Sequence, residues 1–197
     1  MKRVSYPALR IVICLLSTAA AVSAQTYLGM DRNDYPGDTA MQSMRKLFAF
    51  SGYWLNNPPG AATNAWTGHR SQMETMGYGF LLLFNGREYA DLKASGNAAS
   101  LGKRDAGTAV SSAKSEGFPP KSVIFLDQEQ GGRMLPEQRA YIHAWVDAVT
   151  ASGYGAGVYC SGVPFRESNK VSVVTATDIR ENAGGRSPRL HRRTFFV

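Results

Sequence analysis

The stretch SVIFLDQEQGG, residues 122–132, decides how this chain of 197 residues is read. Its first half, SVIFL, has the unbroken hydrophobicity of a strand covered on both faces. It then breaks into two carboxylates one residue apart, Asp127 and Glu129, followed by two glycines. A buried strand that ends in paired acids fits a parallel sheet that keeps its chemistry at the carboxyl ends of its strands.

Comparable runs lie on both sides. YGFLLLF (78–84) is a second continuous apolar run. FAFSGYWL (48–55) is aromatic and β-prone until NNPPG ends it, and YLGMD (27–31) is a short run that stops at an acid. GAGVYC (155–160) makes a fifth strand. Between these runs the spacing predicts helices over 39–46, 66–76, 103–116 and 136–150, with a last short one over 175–182. Pro136 suits a first helical position and Gly117 a helix end, while Gly86, Gly96 and Gly102 mark a polar loop after Phe84.

Five β-α units in regular alternation predict a parallel sheet wrapped by helices. A doubly wound open sheet and a (β/α)8 barrel both satisfy that pattern. No glycine-rich phosphate loop follows the first strand, which disfavours the nucleotide-binding doubly wound form. Polar residues close nearly every strand: Asp31, Tyr53 with Trp54, Asn85, Asp127 with Glu129, Tyr159 with Ser161. The expected class is therefore α/β, of the (β/α)8 TIM-barrel type, with five of the eight units visible.

The ends of the chain differ from its body. A basic start, MKRVSYPALR, precedes the short apolar run IVICLLSTAAAV and small residues at Ser23 and Ala24. This is the pattern of a signal peptide over residues 1–24, cut after Ala24, and the expected location is secreted or periplasmic. Cys14 would leave with it, so Cys160 would have no internal disulfide partner. Residues 25–185 form the expected domain. They hold 15 basic and 15 acidic residues, so the net charge of +7 comes from the two ends. A neutral body has no basic face for nucleic acid. The last residues, 186–197, read as an irregular basic tail with four arginines, either a truncated or frame-shifted end or a natural basic tail, with a complete smaller α/β domain as the alternative.

The acids carry the functional expectation. Residues i and i+2 of a strand share a face, with Cα atoms about 6.6 Å apart. Asp127 and Glu129 would then point together into a barrel mouth, where Asp31 could join them. Like charges in a partly dry site raise one pKa, which yields an acid and a base at one pH, as glycoside hydrolysis requires. The same residues allow a structural reading, with Asp127 capping the glycine turn and Glu129 paired with Arg133. Tyr53, Trp54, Asn85 and Tyr159 are the candidate substrate-binding set, the aromatic ones as platforms for sugar rings. His69, His143 and His191 lack metal-ligand spacing and there is no G-x-S-x-G elbow, so no metal site, cofactor or nucleophilic serine is assigned.

Several of these stretches carry a resemblance. LGMDRNDYPGD, FAFSGYWLNNPPG, FLLLFNGR, IFLDQEQGGRMLPEQ and GAGVYCSGVP are similar, in order, to the glycoside-hydrolase-like family known as domain of unknown function 1906. That family is related to the family 25 glycoside hydrolases, the lysozymes that cleave peptidoglycan. The resemblance implies a barrel domain, Glu129 as general acid, and Asp127 and Asp31 as stabilising or water-positioning carboxylates. It implies peptidoglycan or a similar polysaccharide as partner of a monomer. It also leaves room for a non-catalytic glycan-binding module or an inactive fragment.

Overall fold

A computed structural model of the chain describes residues 27–128, 134–160, 165–167, 170–172 and 189–192. The expected signal segment, Glu129 and the short helix over 175–182 lie outside the described residues. Strands β1 (Gly29–Met30), β2 (Phe50–Trp54), β3 (Gly79–Asn85), β4 (Val123–Gln128) and β5 (Gly155–Cys160) fall on the five apolar runs. Helices α1 (Asp38–Met44), α2 (Arg70–Thr75), α3 (Tyr89–Ala94), α4 (Ala98–Ser115) and α5 (Pro136–Ala151) separate them. An antiparallel pair, β6 (Phe165–Glu167) and β7 (Lys170–Ser172), follows, and then β8 (Arg189–Arg192).

Three helices differ from the sequence expectation, and the first is α2, which starts at Arg70 rather than at residue 66. Asn97 caps α4, its side chain accepting from the Ser100 N–H at 3.0 Å, so the helix starts before Lys103 and takes in Gly102. Helix α3 occupies part of what reads as a polar loop. Its six residues bury only Leu92, too short a run to show helical periodicity. The basic tail also contains structure: β8 pairs in parallel with β5 through Arg189, Leu190, His191 and Arg192. Its charged sequence shows no strand period, so periodicity does not mark it.

The main sheet has the order β1-β2-β3-β4-β5-β8, and every pairing is parallel. This order never reverses, and that decides between the two competing architectures. Parallel crossovers are right-handed, so a monotonic order sends successive helices to the same side of the sheet. A doubly wound sheet needs a reversal, and none occurs among the described strands. The fold is therefore an incomplete TIM-barrel-like sheet of the expected class.

Register separates the strand residues into two faces, because partners in a parallel ladder point the same way. Tyr53, Leu82, Phe84, Ile124, Leu126 and Val158 face the helices and are buried. Tyr53 sits in a cage of rings, with centroids at 6.1 Å to Trp66, 5.8 Å to Phe80 and 5.2 Å to Phe118. Its hydroxyl donates to Glu116 at 2.6 Å. Burial of each such large side chain stabilises the fold by roughly 1.5–3 kcal/mol. Behind this layer α4 and α5 meet at Gly102, where a Cβ would collide with the backbone carbonyl of Tyr141.

The other face carries Gly29, Asp31, Phe50, Gly52, Trp54, Gly79, Leu81, Leu83, Asn85, Val123, Phe125, Asp127, Gly155 and Gly157. Five of these are glycines, and the same strands place none on the helix side. The space is already filled by neighbours: a Cβ on Gly29 would enter the Phe50 ring, and one on Gly155 would stand 2.9 Å from Val123 Cγ2. Alternation of glycine with large side chains is how the narrow interior of a small barrel is packed.

Candidate functional site

The carboxyl ends of β1 to β4 bring Asp31, Trp54, Asn85 and Asp127 to the face opposite the described helices. Asp127 pairs in register with Asn85 on β3 and with Tyr159 on β5. It is 4% exposed, a carboxylate taken almost wholly out of bulk solvent. Asp31 follows β1 directly and is exposed. Its Oδ1 lies 2.6 Å from the point where a Cβ on Gly52 would be, so the missing side chain there makes room for the carboxylate. Strands β2 and β3 lie between Asp31 and Asp127. Glu129 falls outside the described residues.

The four substrate-binding candidates separate. Trp54 is 2% exposed and donates through Nε1 to the Arg32 carbonyl at 2.9 Å, which ties the loop after β1 down over the end of β2. Asn85 is half-buried at the rim, and its side chain donates to the Asn57 carbonyl at 3.0 Å. Tyr159 is described by its register only. Tyr53 is fully buried on the opposite face, in the helix layer, where it reaches no ligand. Burial and its bond to Glu116 hold the Tyr53 hydroxyl far above the ordinary tyrosine pKa of 10.0.

A second set of residues, not visible in the sequence pattern, positions the rim. Asn56 continues the β2–β3 ladder with its side chain: Nδ2 donates to the Asn85 carbonyl at 3.0 Å, and Oδ1 accepts the Asn85 N–H at 2.7 Å. The Gly86 N–H donates to the Asp127 carbonyl at 2.9 Å, and a Cβ at Gly86 would lie 2.6 Å from that oxygen. Only glycine lets the loop after β3 come this close to Asp127. The same loop is anchored from behind. Arg87 grips Asp105 of α4 with Nε at 2.5 Å and Nη2 at 2.8 Å, and the Tyr141 hydroxyl donates to Asp105 at 3.0 Å. Burial and the neighbouring Asp105 raise the Tyr141 hydroxyl well above its ordinary value, so it remains a donor. Gln128 completes the anchor by donating to the Arg87 carbonyl at 3.3 Å. The polar cluster FNGR at the end of β3 was the available signal. Asp105, 18 residues further on, had none.

A cleft of about 610 Å³ opens beside the ends of β2 and β3, between the loops that follow them and the side of α4. A cavity of about 480 Å³ lies along the start of α5, at Leu135, Arg139 and His143. Among the described residues there is no group of three or more His, Cys, Asp or Glu that could hold a metal ion. Among them, too, no helix is long and apolar enough to cross a membrane.

Comparison with known proteins agrees with this fold. The profile of the Rv2525c-like, glycoside hydrolase-like domain matches residues 51–187. Among solved structures, an uncharacterized B. stearothermophilus protein is similar at 21% identity and a TM-score of 0.55. The likeness covers 77% of this chain and 64% of that one, so the chain spans about two thirds of that structure's length. It supports the fold alone. No curated protein matches the sequence.

Proposed function

The chain belongs to the Rv2525c-like, glycoside hydrolase-like family, and from that premise we propose that it is an exported hydrolase of cell-wall glycan of the peptidoglycan type. The observation that carries this reading is the set Asp31, Trp54, Asn85 and Asp127, gathered at strand carboxyl ends on one face. In the proposed reaction Glu129 gives its proton to the glycosidic oxygen as the C1–O bond breaks. Asp127 and Asp31 stabilise the positive charge that develops at the ring and hold the water whose oxygen bonds to C1. The water's proton passes to a carboxylate, which restores the charge balance.

The D-x-E spacing in the sequence supports Glu129 in this role, because residues i and i+2 share a face wherever a strand continues. Stagger supports Asp31. Following the ladder, Asp31 is level with Val123, four residues before Asp127 and three strands away. A (β/α)8 barrel staggers by about one residue per strand, so closure brings two such positions to nearly one height.

A second reading is a glycan-binding module that does not hydrolyse, on a sheet that has six strands among the described residues. One assay separates the two. Wild type and Glu129→Gln are incubated with purified peptidoglycan, and both soluble reducing ends and retained protein are measured. Reducing ends from wild type alone support the hydrolase. Retention of both proteins without reducing ends supports the module. Neither release nor retention ends both readings.

A further inference from the structure

The cleft beside β2 and β3 is not part of the barrel mouth. Asp105 and Thr108 reach it from α4, a helix on the other side of the sheet from Asp127. We infer that this cleft is a separate subsite for a short uncharged saccharide, adjoining the carboxylates at Asn85; the inference rests on the glycan reading above.

Size, chemistry and rigidity point the same way. A volume of about 610 Å³ is that of a small-molecule pocket. Its lining includes Asn57, Arg87, Glu88, Asp91, Arg104 and Asp105, a mixture of donors and acceptors. Sugar hydroxyls do both, each donating one hydrogen and accepting others. Three acids stand against two arginines, and the Arg87 guanidinium is already gripped by Asp105. The site therefore has no surplus positive charge with which to hold a phosphate or carboxylate. Arg87 is 34% exposed and Asp105 7% exposed at their side chains, so the floor is fixed before a ligand arrives. Phe84, the aromatic residue of the lining, is buried and offers no stacking surface. Affinity then rests chiefly on hydrogen bonds, and a dissociation constant of about a millimolar is expected.

Asn85 connects this cleft to the mouth. It lines the cleft and is the register partner of Asp127. A saccharide seated there would place its next units over the carboxylates.

The test uses the full chain and the neutral trimer of N-acetylglucosamine, titrated by calorimetry or by ligand-observed NMR. Thr108→Arg fills the cleft from an exposed position on α4, and Asp91→Ala removes an exposed acceptor. Circular dichroism confirms that both variants fold. Wild type is expected to bind, with each variant weakened tenfold or more. Binding by wild type with both variants unchanged overturns the cleft and leaves the glycan reading standing. No binding by wild type also overturns the cleft, and the peptidoglycan assay above then decides the glycan reading by itself.

Discussion

Leu126 and Asp127 are neighbours in β4, and the sheet turns them to opposite faces. Leu126 has no exposed surface and packs under the helices, together with Tyr53, Ile124 and Val158. Asp127 stands on the glycine-lined face with Asn85 and the end of β3. One face is filled with large apolar groups whose exact chemistry matters less than their volume. The other is narrow, and small residues there leave room for polar groups at the rim. The contrast teaches that stability and chemistry in this domain are divided by strand parity, one residue apart.

Four substitutions test that division. The largest effect is expected at Asp127→Asn, which keeps size and removes charge. In the proposed reaction its role is electrostatic, so peptidoglycan hydrolysis should fall by about 10²–10³-fold, while the urea midpoint shifts little. Unchanged hydrolysis would remove Asp127 from the reaction. Leu126→Ala should do the reverse, losing about 3 kcal/mol of unfolding free energy through the cavity it leaves; a loss below about 1 kcal/mol would mean that the helix-side layer repacks freely. Third comes Gly52→Ala. The new Cβ would meet the carboxylate of Asp31 and stand 3.2 Å from Leu83 Cδ1, so both neighbours must give way a little. Stability should change by less than about 1 kcal/mol, yet hydrolysis should drop about tenfold as the carboxylate shifts. Equal loss of both would show that Gly52 serves packing alone.

The smallest effect, about 1 kcal/mol, is expected for Tyr53→Phe, and it carries a pH signature. The Tyr53 phenol has a raised pKa in the folded state, through burial first and then Glu116. A group of this kind stabilises fully below its unfolded value of 10.0 and loses that contribution as the pH climbs above it. Wild-type stability should therefore decline above pH 10 more steeply than that of Tyr53→Phe. Chemical denaturation at pH 8 and pH 11 measures both slopes, and parallel slopes would place the alkaline sensitivity at other tyrosines.

Much of this was legible in the chain because strand boundaries are marked by hydrophobic runs and by the acids or turns that end them. The barrel-type class and the carboxyl-end location of Asp31 and Asp127 followed from those marks alone. Tyr53 was misassigned to the substrate-binding set: alternation separates it from Trp54, but does not say which of the two meets the helices. Aromatic character suggested a rim, whereas the fold puts Tyr53 among the helices. The anchor of Arg87, Asp105 and Tyr141 could not be read. Its members come from a loop and two helices, and nothing in their spacing announces that a buried ion pair needs all three. Strand β8 was hidden for a different reason: pairing with β5 uses backbone groups, which every sequence offers alike.

The unreversed strand order has a mechanical consequence. Among the described residues β1 takes its ladder partners from β2 alone, Gly29 with Phe50 and Met30 with Ser51. The chain after it is fastened as well, where the indole N–H groups of Trp54 and Trp66 donate to the Arg32 and Asn33 carbonyls. A pull on the amino end would therefore load two ladder positions and two indole bonds together, and the short strand draws much of its hold from the loop that follows it.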